Sequence, residues 1–315
     1  NTTIFVRIAA STSVGTPSGN ITNAGGGATT QNVAVSGTVN AAPTVVPIAN
    51  IRNAIDGSGA QIAPYAAGTA VMIQGQIYGV NRNIDATVAN GTRQKFEFTV
   101  IDNSTGRNGI VIRSTGTVDI APVDLLEGDN ITVSGTVSQF NGLTQITATA
   151  VTRNNTGNTR KTPVNATVIA ENEESQLIRL TGVTVTTWPS AWTGSGQNAS
   201  ITVGANTYTL RITSASELWN KTVVDVFGSG ATLPVNNVTM VGLGGQFDNV
   251  SPFDSGYQLF VTKLSDVTIP PPIIPAISTN ASSTGLDFGS VTKNEVSASQ
   301  TYKLIGKDLP TTGSN

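Results

Sequence analysis

Residues 127–153 read EGDNITVSGTVSQFNGLTQITATAVTR, and their pattern indicates the fold class. β-Branched residues alternate with small polar ones along two runs, Ile131–Phe140 and Leu143–Arg153. A period of two is typical of strands with one face in a core, because successive side chains of a strand point to opposite faces. The stretch therefore predicts two long neighbouring strands.

The rest of the chain shares this bias toward strands and turns. It contains 46 Thr, 28 Asn and 33 Gly among 315 residues, and only 11% of its residues are charged, against a usual share of about 25%. Thr favours strands, Asn and Gly favour turns, and strong helix formers are scarce. We therefore predict an all-β protein.

The chain has no His and no Cys. Their absence excludes Ser-His-Asp and Cys-His catalysis, disulfides and thiolate metal sites, so we expect no enzyme, no catalytic residue, no metal and no cofactor. The net charge of −2 provides no basic excess for phosphates. The chain also has no run of about 18 apolar residues to span a membrane. We expect neither nucleic acid binding nor membrane insertion.

Five strand signals follow one another between residues 71 and 153, after a short predicted helix at Ile48–Ile55. The predicted strands are Val71–Val80, Lys95–Asp102, Gly109–Ser114, Ile131–Phe140 and Leu143–Arg153. Five strands in about 90 residues suit a small Greek-key barrel. The order of the signals also resembles an OB-fold, with Gly75-Gln76-Ile77 in the first strand, F-x-V-x-D at Phe98–Asp102, and E-G-D before V-S-G-T-V.

Residues 162–268 repeat part of this pattern. Gly135–Phe140 and Gly242–Phe247 both spell G-x-x-x-Q-F, 107 residues apart. In both places the motif follows an apolar run and precedes a strand signal that contains Gln. This spacing is that of a domain rather than of a solenoid repeat. We therefore predict a second OB-like Greek-key barrel.

These signals divide the chain into four predicted domains: residues 1–40, 41–160, 161–269 and 270–315. The two middle ones are the OB-like barrels, and a stiff proline-rich linker at Pro270–Pro275 opens the last. Each terminal segment has too few strand signals to close a sandwich alone. The terminal strand signals are Thr3–Ile8, Gly19–Thr22, Gln31–Val39, Pro275–Thr279 and Ser299–Gly306.

The terminal segments resemble the two halves of one immunoglobulin-like repeat. Leu286–Val291 with Ser299–Leu309 resembles the first half, and Thr3–Ile8 with Gly19–Val39 resembles the second half. Such repeats occur in large secreted surface proteins of Bacteroidota-type bacteria, in which OB-like modules accompany adhesins and nucleases. The resemblance implies export to the cell surface and a modular scaffold, and it supplies no catalytic residue. In this chain the segment that resembles the second half of the repeat lies at the N-terminus, and the segment that resembles the first half lies at the C-terminus.

The split repeat predicts that the chain binds a second copy of itself, so that the half-sandwich of one chain completes that of the next. The residues expected at this interface are Ile4, Val6, Ile8, Val33, Val35, Val39, Ile277, Leu286, Phe288, Tyr302, Leu304 and Ile305. A head-to-tail contact of this kind propagates into a filament, so the predicted function is a pilus-like structural subunit of an extracellular filament or surface fibre.

Two alternatives remain open. The chain could be a non-catalytic binding region of a larger secreted adhesin or nuclease, with surface glycans considered as a further partner. It could also be one period of a longer covalent repeat, in which the same sandwich forms within one polypeptide.

The only acidic cluster is Glu171, Glu173 and Glu174. A general-acid pair needs two carboxylates about 5–10 Å apart in a cleft, whereas neighbours on one turn point in different directions. We therefore interpret this cluster as a solvent-exposed loop.

Several further residues are interpreted as structural. The oxygens of Asp102 and Ser104, and those of Asp124, Glu127 and Asp129, do not follow the spacing of a calcium loop, and we interpret them as turns. Trp188 and Trp192 are expected to pack over a barrel end, and Phe96 and Phe98 to face a core.

The sequence contains twelve N-x-[ST] sequons, which mark surface loops where N-glycosylation operates. The candidate glycosylation sites are Asn90, Asn103, Asn165, Asn198, Asn220 and Asn237.

Overall fold

The computed structural model describes residues 3–9, 11–39, 44–83, 95–114, 120–122, 124–269, 276–279, 286 and 288–307. The chain divides into two units, residues 1–268 and residues 269–315, and the finer division into four domains stays a prediction. The regular structure described in both units is almost entirely strand, so the predicted all-β class is confirmed. Within the first unit, two short helices, α1 (Ile48–Arg52) and α2 (Val223–Phe227), interrupt the strands.

Five strands close into a barrel in the first unit. They are β3 (Ala70–Tyr78), β4 (Phe96–Ile101), β5 (Gly109–Ser114), β6 (Asn130–Phe140) and β7 (Leu143–Asn155). Their order around the barrel is β3-β4-β5-β7-β6, and β5 and β7 run parallel while the other neighbours are antiparallel. This is the predicted OB-like Greek-key order. The predicted strand ends lie within two residues of the observed ones.

Alternation builds the core of this first barrel. Phe96 and Phe98 are buried in this core, as predicted. Their ring centroids lie 6.0 Å apart. Helix α1 packs Ile48 and Ile51 into the same core. The start of α1 is held by Asp102, whose Oδ2 accepts a hydrogen bond from the backbone N–H of Ile48 at 2.7 Å.

A second barrel lies in residues 164–268, which contain seven strands, helix α2 and one 3-10 turn. Its strands are β8 (Val164–Ala166), β9 (Leu177–Thr187), β10 (Gly196–Val203), β11 (Asn206–Thr213), β12 (Val235–Gln246), β13 (Tyr257–Phe260) and β14 (Val267–Thr268), and a 3-10 turn spans Leu264–Asp266.

The pairings β9–β10, β10–β11, β11–β13, β13–β12 and β12–β9 return to their starting strand, so five of these strands form a ring. The one parallel pair within this ring, β11 and β13, is equivalent to β5 and β7 of the first barrel. Strands β8 and β14 extend the ring on β9 and β12. The two barrels therefore share one topology.

The end of the second barrel is covered by three tryptophans. Trp188 contacts Trp192 and the α2 residue Phe227 edge to face, and Trp192 contacts Trp219 at 5.0 Å between ring centroids. The indole N–H of Trp188 donates to the backbone carbonyl of Lys221 at 2.7 Å. These rings pack against the barrel core, as predicted.

The two barrels meet in a third apolar cluster. Tyr78 and Ile101 of the first barrel pack against Leu177, Val241 and Leu243 of the second. The backbones approach so closely that a side chain on Gly109 would overlap the carbonyl of Ser175. The two barrels therefore share a tightly packed junction.

The N-terminal part of the first unit is a two-stranded hairpin, β1 (Ser18–Asn23) with β2 (Gln31–Ser36). The predicted strand at Thr3–Ile8 is wrong, because residues 3–9 form no strand. The residue types there favour a strand, but a strand also needs a neighbour to pair its backbone groups.

The second unit, considered by itself, contains the hairpin of β15 (Ala276–Thr279) and β16 (Leu304–Lys307). The predicted strand at Ser299–Gly306 is realised only from Leu304 onward, and the described residues of Leu286–Val291 form no strand. The linker Pro270–Pro275 lies outside the described residues.

Candidate functional site

The N-terminal segment, residues 3–9 and 11–39, has no buried side chain among its described residues. Ile4, Val6, Ile8 and Val33 are all exposed, and the neighbouring Phe5 is 93% exposed. The hairpin pairs Val33 with Ile21 and Val35 with Gly19. Large apolar side chains of the N-terminal segment are thus exposed to water, because a two-stranded hairpin has no second layer to cover them.

Three of the predicted interface residues come together here. Val6, Ile8 and Val35 line a shallow groove of about 440 Å³ beside the hairpin. The side chain of Ile8 lies over Gly37, which has no side chain to displace it. Val39 is half-buried and exchanges two backbone hydrogen bonds with Gly15, at 2.8 and 2.9 Å. Apolar and polar residues both line the groove, and it lies beside the hairpin strands β1 and β2.

The second unit shows the same deficit, because none of its side chains from residue 276 onward is buried where the structure describes them. Phe288 is 52% exposed, and Tyr302, Leu304 and Ile305 are also exposed, whereas Leu286 is half-buried. The backbone of Ile277 pairs with Gly306, and its side chain lies outside the described residues. The N-terminal segment and the second unit therefore each expose large apolar side chains.

The acidic cluster of residues 171–174 is not the solvent-exposed loop that we predicted. Glu174 is 0% exposed and forms an ion pair with Arg52 of helix α1, which is also fully buried. Glu171 is half-buried and lies 3.3 Å from the same guanidinium. The prediction failed because this turn packs against the first barrel, which supplies the arginine.

Burial dominates the electrostatics of this cluster. Loss of hydration raises the pKa of Glu174 from 4.5 to about 7, although the Arg52 charge opposes the shift. Burial also raises the pKa of Glu171. The Oε1 atom of Glu174 accepts a hydrogen bond from the backbone N–H of Thr144 at 3.2 Å. This arrangement joins the two barrels.

Arg52 was missed by the analysis of the sequence. The one available signal was a charged residue next to the apolar positions Ile48 and Ile51 of the predicted helix Ile48–Ile55, and these two isoleucines pack in a core. A buried arginine needs carboxylate or carbonyl partners, and the acidic cluster was the evident source of them.

The remaining carboxylates serve turns and the barrel junction. Asp102 Oδ1 accepts a hydrogen bond from the backbone N–H of Ser104 at 2.8 Å, as expected for a turn. Asp129 pairs with Arg153 at 3.0 Å, and Glu127 pairs with Arg160 at 3.2 Å. Within the described ranges, no group of three or more Asp or Glu residues is placed to hold a metal ion.

Five of the six candidate glycosylation sites are exposed: Asn103, Asn165, Asn198, Asn220 and Asn237. Asn90 lies outside the described residues. Exposure satisfies the steric requirement for modification, and glycosylation itself stays a prediction.

No protein-family model matches the chain, and no curated protein matches its sequence. None of the helices in the described ranges has the length and apolarity needed to cross a membrane.

Proposed function

We propose that the protein is a structural subunit of an extracellular filament or surface fibre, assembled head to tail by strand complementation between chains. The observation that carries the proposal is that the described residues of both terminal segments lack any buried side chain, while both expose large apolar ones.

The energetic argument rests on those exposed side chains. Burying one large apolar side chain stabilises by about 1.5–3 kcal/mol, and an isolated two-stranded hairpin is at best marginally stable in water. An open strand edge beside an apolar face recruits another strand. Each segment therefore gains stability from a partner that supplies the missing strands.

The N-terminal and C-terminal segments expose different surfaces, so one segment can pair with the other segment of a second chain. The N-terminal segment has a hairpin, a groove lined by Val6, Ile8 and Val35, and an unpaired stretch at residues 3–9 with strand-favouring residues. The C-terminal segment offers a second hairpin, with Leu304 and Ile305 exposed. Backbone pairing would set the register, and apolar burial would supply most of the affinity. Because the two surfaces differ, the contact is heterologous and propagates.

The extracellular location is part of the proposal. The resemblance of the terminal segments to repeats of secreted surface proteins supports it, as does a chain rich in Thr, Asn and Gly and poor in charge.

Deletion of residues 1–40 tests the assembly. Electron microscopy and sedimentation velocity should find filaments with the full chain and monomers with the truncated one. A free peptide of residues 1–40 should shorten filaments of the full chain by capping their growing ends. Normal filaments from the truncated chain would contradict the proposal.

The intact mass of the native protein separates this proposal from the longer covalent repeat. A mass near 32.4 kDa supports exchange between chains, whereas a several-fold larger mass supports a sandwich closed within one polypeptide.

A further inference from the structure

We propose that the groove at the junction of the two barrels binds an acidic oligosaccharide, one that carries uronic acid units. This inference does not depend on filament formation. The groove has a volume of about 460 Å³, which lies in the range of small-molecule sites. Its walls come from β4, β6 and β7 of the first barrel and from β10 to β13 of the second.

The floor of the groove is polar and buried. Gln145, Thr213 and Gln246 line it, and each is less than a tenth exposed. The Gln246 amide donates to the backbone carbonyls of Phe253 and Ser255, at 2.9 and 3.1 Å, which holds this wall in place.

The Gln145 side chain contributes a hydrogen-bonding amide to the groove. It is 5% exposed, and its amide forms no hydrogen bond with any residue that the structure describes. An amide group offers two donor hydrogens and a carbonyl acceptor, and these atoms of Gln145 are not among the fully buried polar atoms without a partner, so they reach the water in the groove. Adjacent sugar hydroxyls, which both donate and accept, would match this amide.

Two exposed aromatic rings form the rim. Phe140 is 51% exposed and Phe247 is 55% exposed, and both line the groove. The C–H face of a pyranose ring is apolar and flat, so it can cover a phenyl ring while its hydroxyls reach the polar floor. Exposed rings beside a polar floor therefore suit a sugar better than a wholly apolar ligand.

The charges of the groove indicate an acidic sugar. Arg82 and Glu97 pair at 2.9 Å and neutralise each other. Arg211 donates to the side-chain oxygen of Asn198 at 3.0 Å, and no carboxylate among the described residues pairs with it. A guanidinium carries five N–H donors and binds carboxylates through two parallel hydrogen bonds. A single uncompensated cation suits one carboxylate, whereas a nucleic acid strand brings a phosphate at every nucleotide.

Isothermal titration calorimetry on the full chain tests the inference with three acidic probes: trigalacturonate, a mannuronate trimer and a hyaluronan hexasaccharide. At least one should bind, and cellohexaose, a neutral sugar, should bind at least tenfold more weakly. Arg211→Ala should weaken binding of the acidic sugar by about 10- to 100-fold, since it removes a hydrogen-bonded charge partner. Phe247→Ala and Gln145→Ala should each weaken it by about fivefold or more.

Arg179→Ala is the matched control, because Arg179 lies on β9 outside the groove lining and its loss should leave binding unchanged. Phe247→Ala keeps the test valid if Gln145→Ala does not fold, because Phe247 is exposed. The inference is overturned if none of the acidic probes binds, if Arg211→Ala and Phe247→Ala bind as well as the parent, or if a dT oligonucleotide displaces the sugar.

Discussion

Phe140 and Phe247 lie edge to face, with their ring centroids 6.4 Å apart and their planes at 74°. They occupy the same position of the G-x-x-x-Q-F motif that occurs once in each barrel. The preceding residues, Gln139 and Gln246, also act alike, since each amide donates to two backbone carbonyls. The repeated motif therefore supplies equivalent contacts on both sides of one junction.

We expect Gly109→Ala to destabilise the protein by about 1–3 kcal/mol, the usual cost of overpacking. The added Cβ would overlap the carbonyl of Ser175 in the second barrel. Gly57→Ala is the matched control, because a Cβ there meets no atom within 4 Å, and it should change the free energy of unfolding by less than about 0.5 kcal/mol. Urea unfolding followed by circular dichroism measures both. Equal stabilities for the two variants would show that the junction is loosely packed.

Arg52→Met should cost more stability than Glu174→Gln. The first leaves the buried Glu174 without its cation, which costs about 3–5 kcal/mol, whereas Glu171 keeps Arg107 at 3.8 Å. The second keeps the shape of Glu174 and the contact between Arg52 and Glu171, so its cost should be less than half as large. Urea titrations at pH 7 give both values, and a greater loss in Glu174→Gln would contradict the assignment.

The stability should depend on pH through Glu174. Its pKa is about 7 in the folded protein and 4.5 in the reference state, so the folded state holds this proton more tightly. The free energy of unfolding should therefore fall as the pH rises from about 4.5 to 7, by on the order of 3 kcal/mol. Glu174→Gln should flatten this slope.

At acidic pH the free energy of unfolding should instead fall as the pH is lowered. Hydrogen bonds from Ser58 and Thr222 lower the pKa values of Asp56 and Asp225 below 3.8, so their contribution is lost as the pH falls below about 4. Unfolding measured from pH 3 to 8 should show a maximum near pH 4.5–5. A steady rise of stability from pH 5 to 8 would contradict the raised pKa of Glu174.

Phe288→Ser should reduce filament formation without changing the thermal unfolding of the barrels. Phe288 is exposed in the single chain, so its replacement removes apolar surface only from the proposed contact between chains. Val250→Ser, at an exposed position of the second barrel, is the control and should leave filaments intact. Light scattering and calorimetry report the two properties separately, and equal filament yields from both variants would count against the proposed interface.

A fragment of residues 44–269 should fold without either terminal segment and unfold in one transition. Each barrel has its own apolar core, and the shared cluster of Tyr78, Ile101, Leu177, Val241 and Leu243 couples them, so we expect a single cooperative transition. Calorimetry should give a calorimetric enthalpy equal to the van't Hoff enthalpy. A dye-binding product without a cooperative transition would show that the fragment boundaries are wrong.

The strands of the first barrel could be predicted to within two residues because their signals are local. Alternation along Asn130–Phe140 places Ile131, Val133 and Val137 on the inner face, and turn residues end each run. The same applies to Asp102, whose turn uses a partner two residues away. The predicted interface residues also come from alternation, but whether a second chain covers them depends on a partner outside the chain.

The predictions that failed depended on distant partners. Thr3–Ile8 has the composition of a strand and no neighbour to pair with, and Glu174 is buried because Arg52, 122 residues earlier in the chain, reaches it. The groove lined by Gln145 and Arg211 could not be predicted either, because its walls belong to two separate barrels.

The amino-acid sequence alone specified the all-β class, the positions of the first barrel's strands and the presence of a second, related barrel. It did so because strand period, turn residues and a repeated motif are properties of neighbouring residues. The folded arrangement of the chain sets which charges are buried, how the two barrels meet and where their shared groove lies. Burial and charge pairing depend on which surfaces come into contact, and no local pattern specifies that contact.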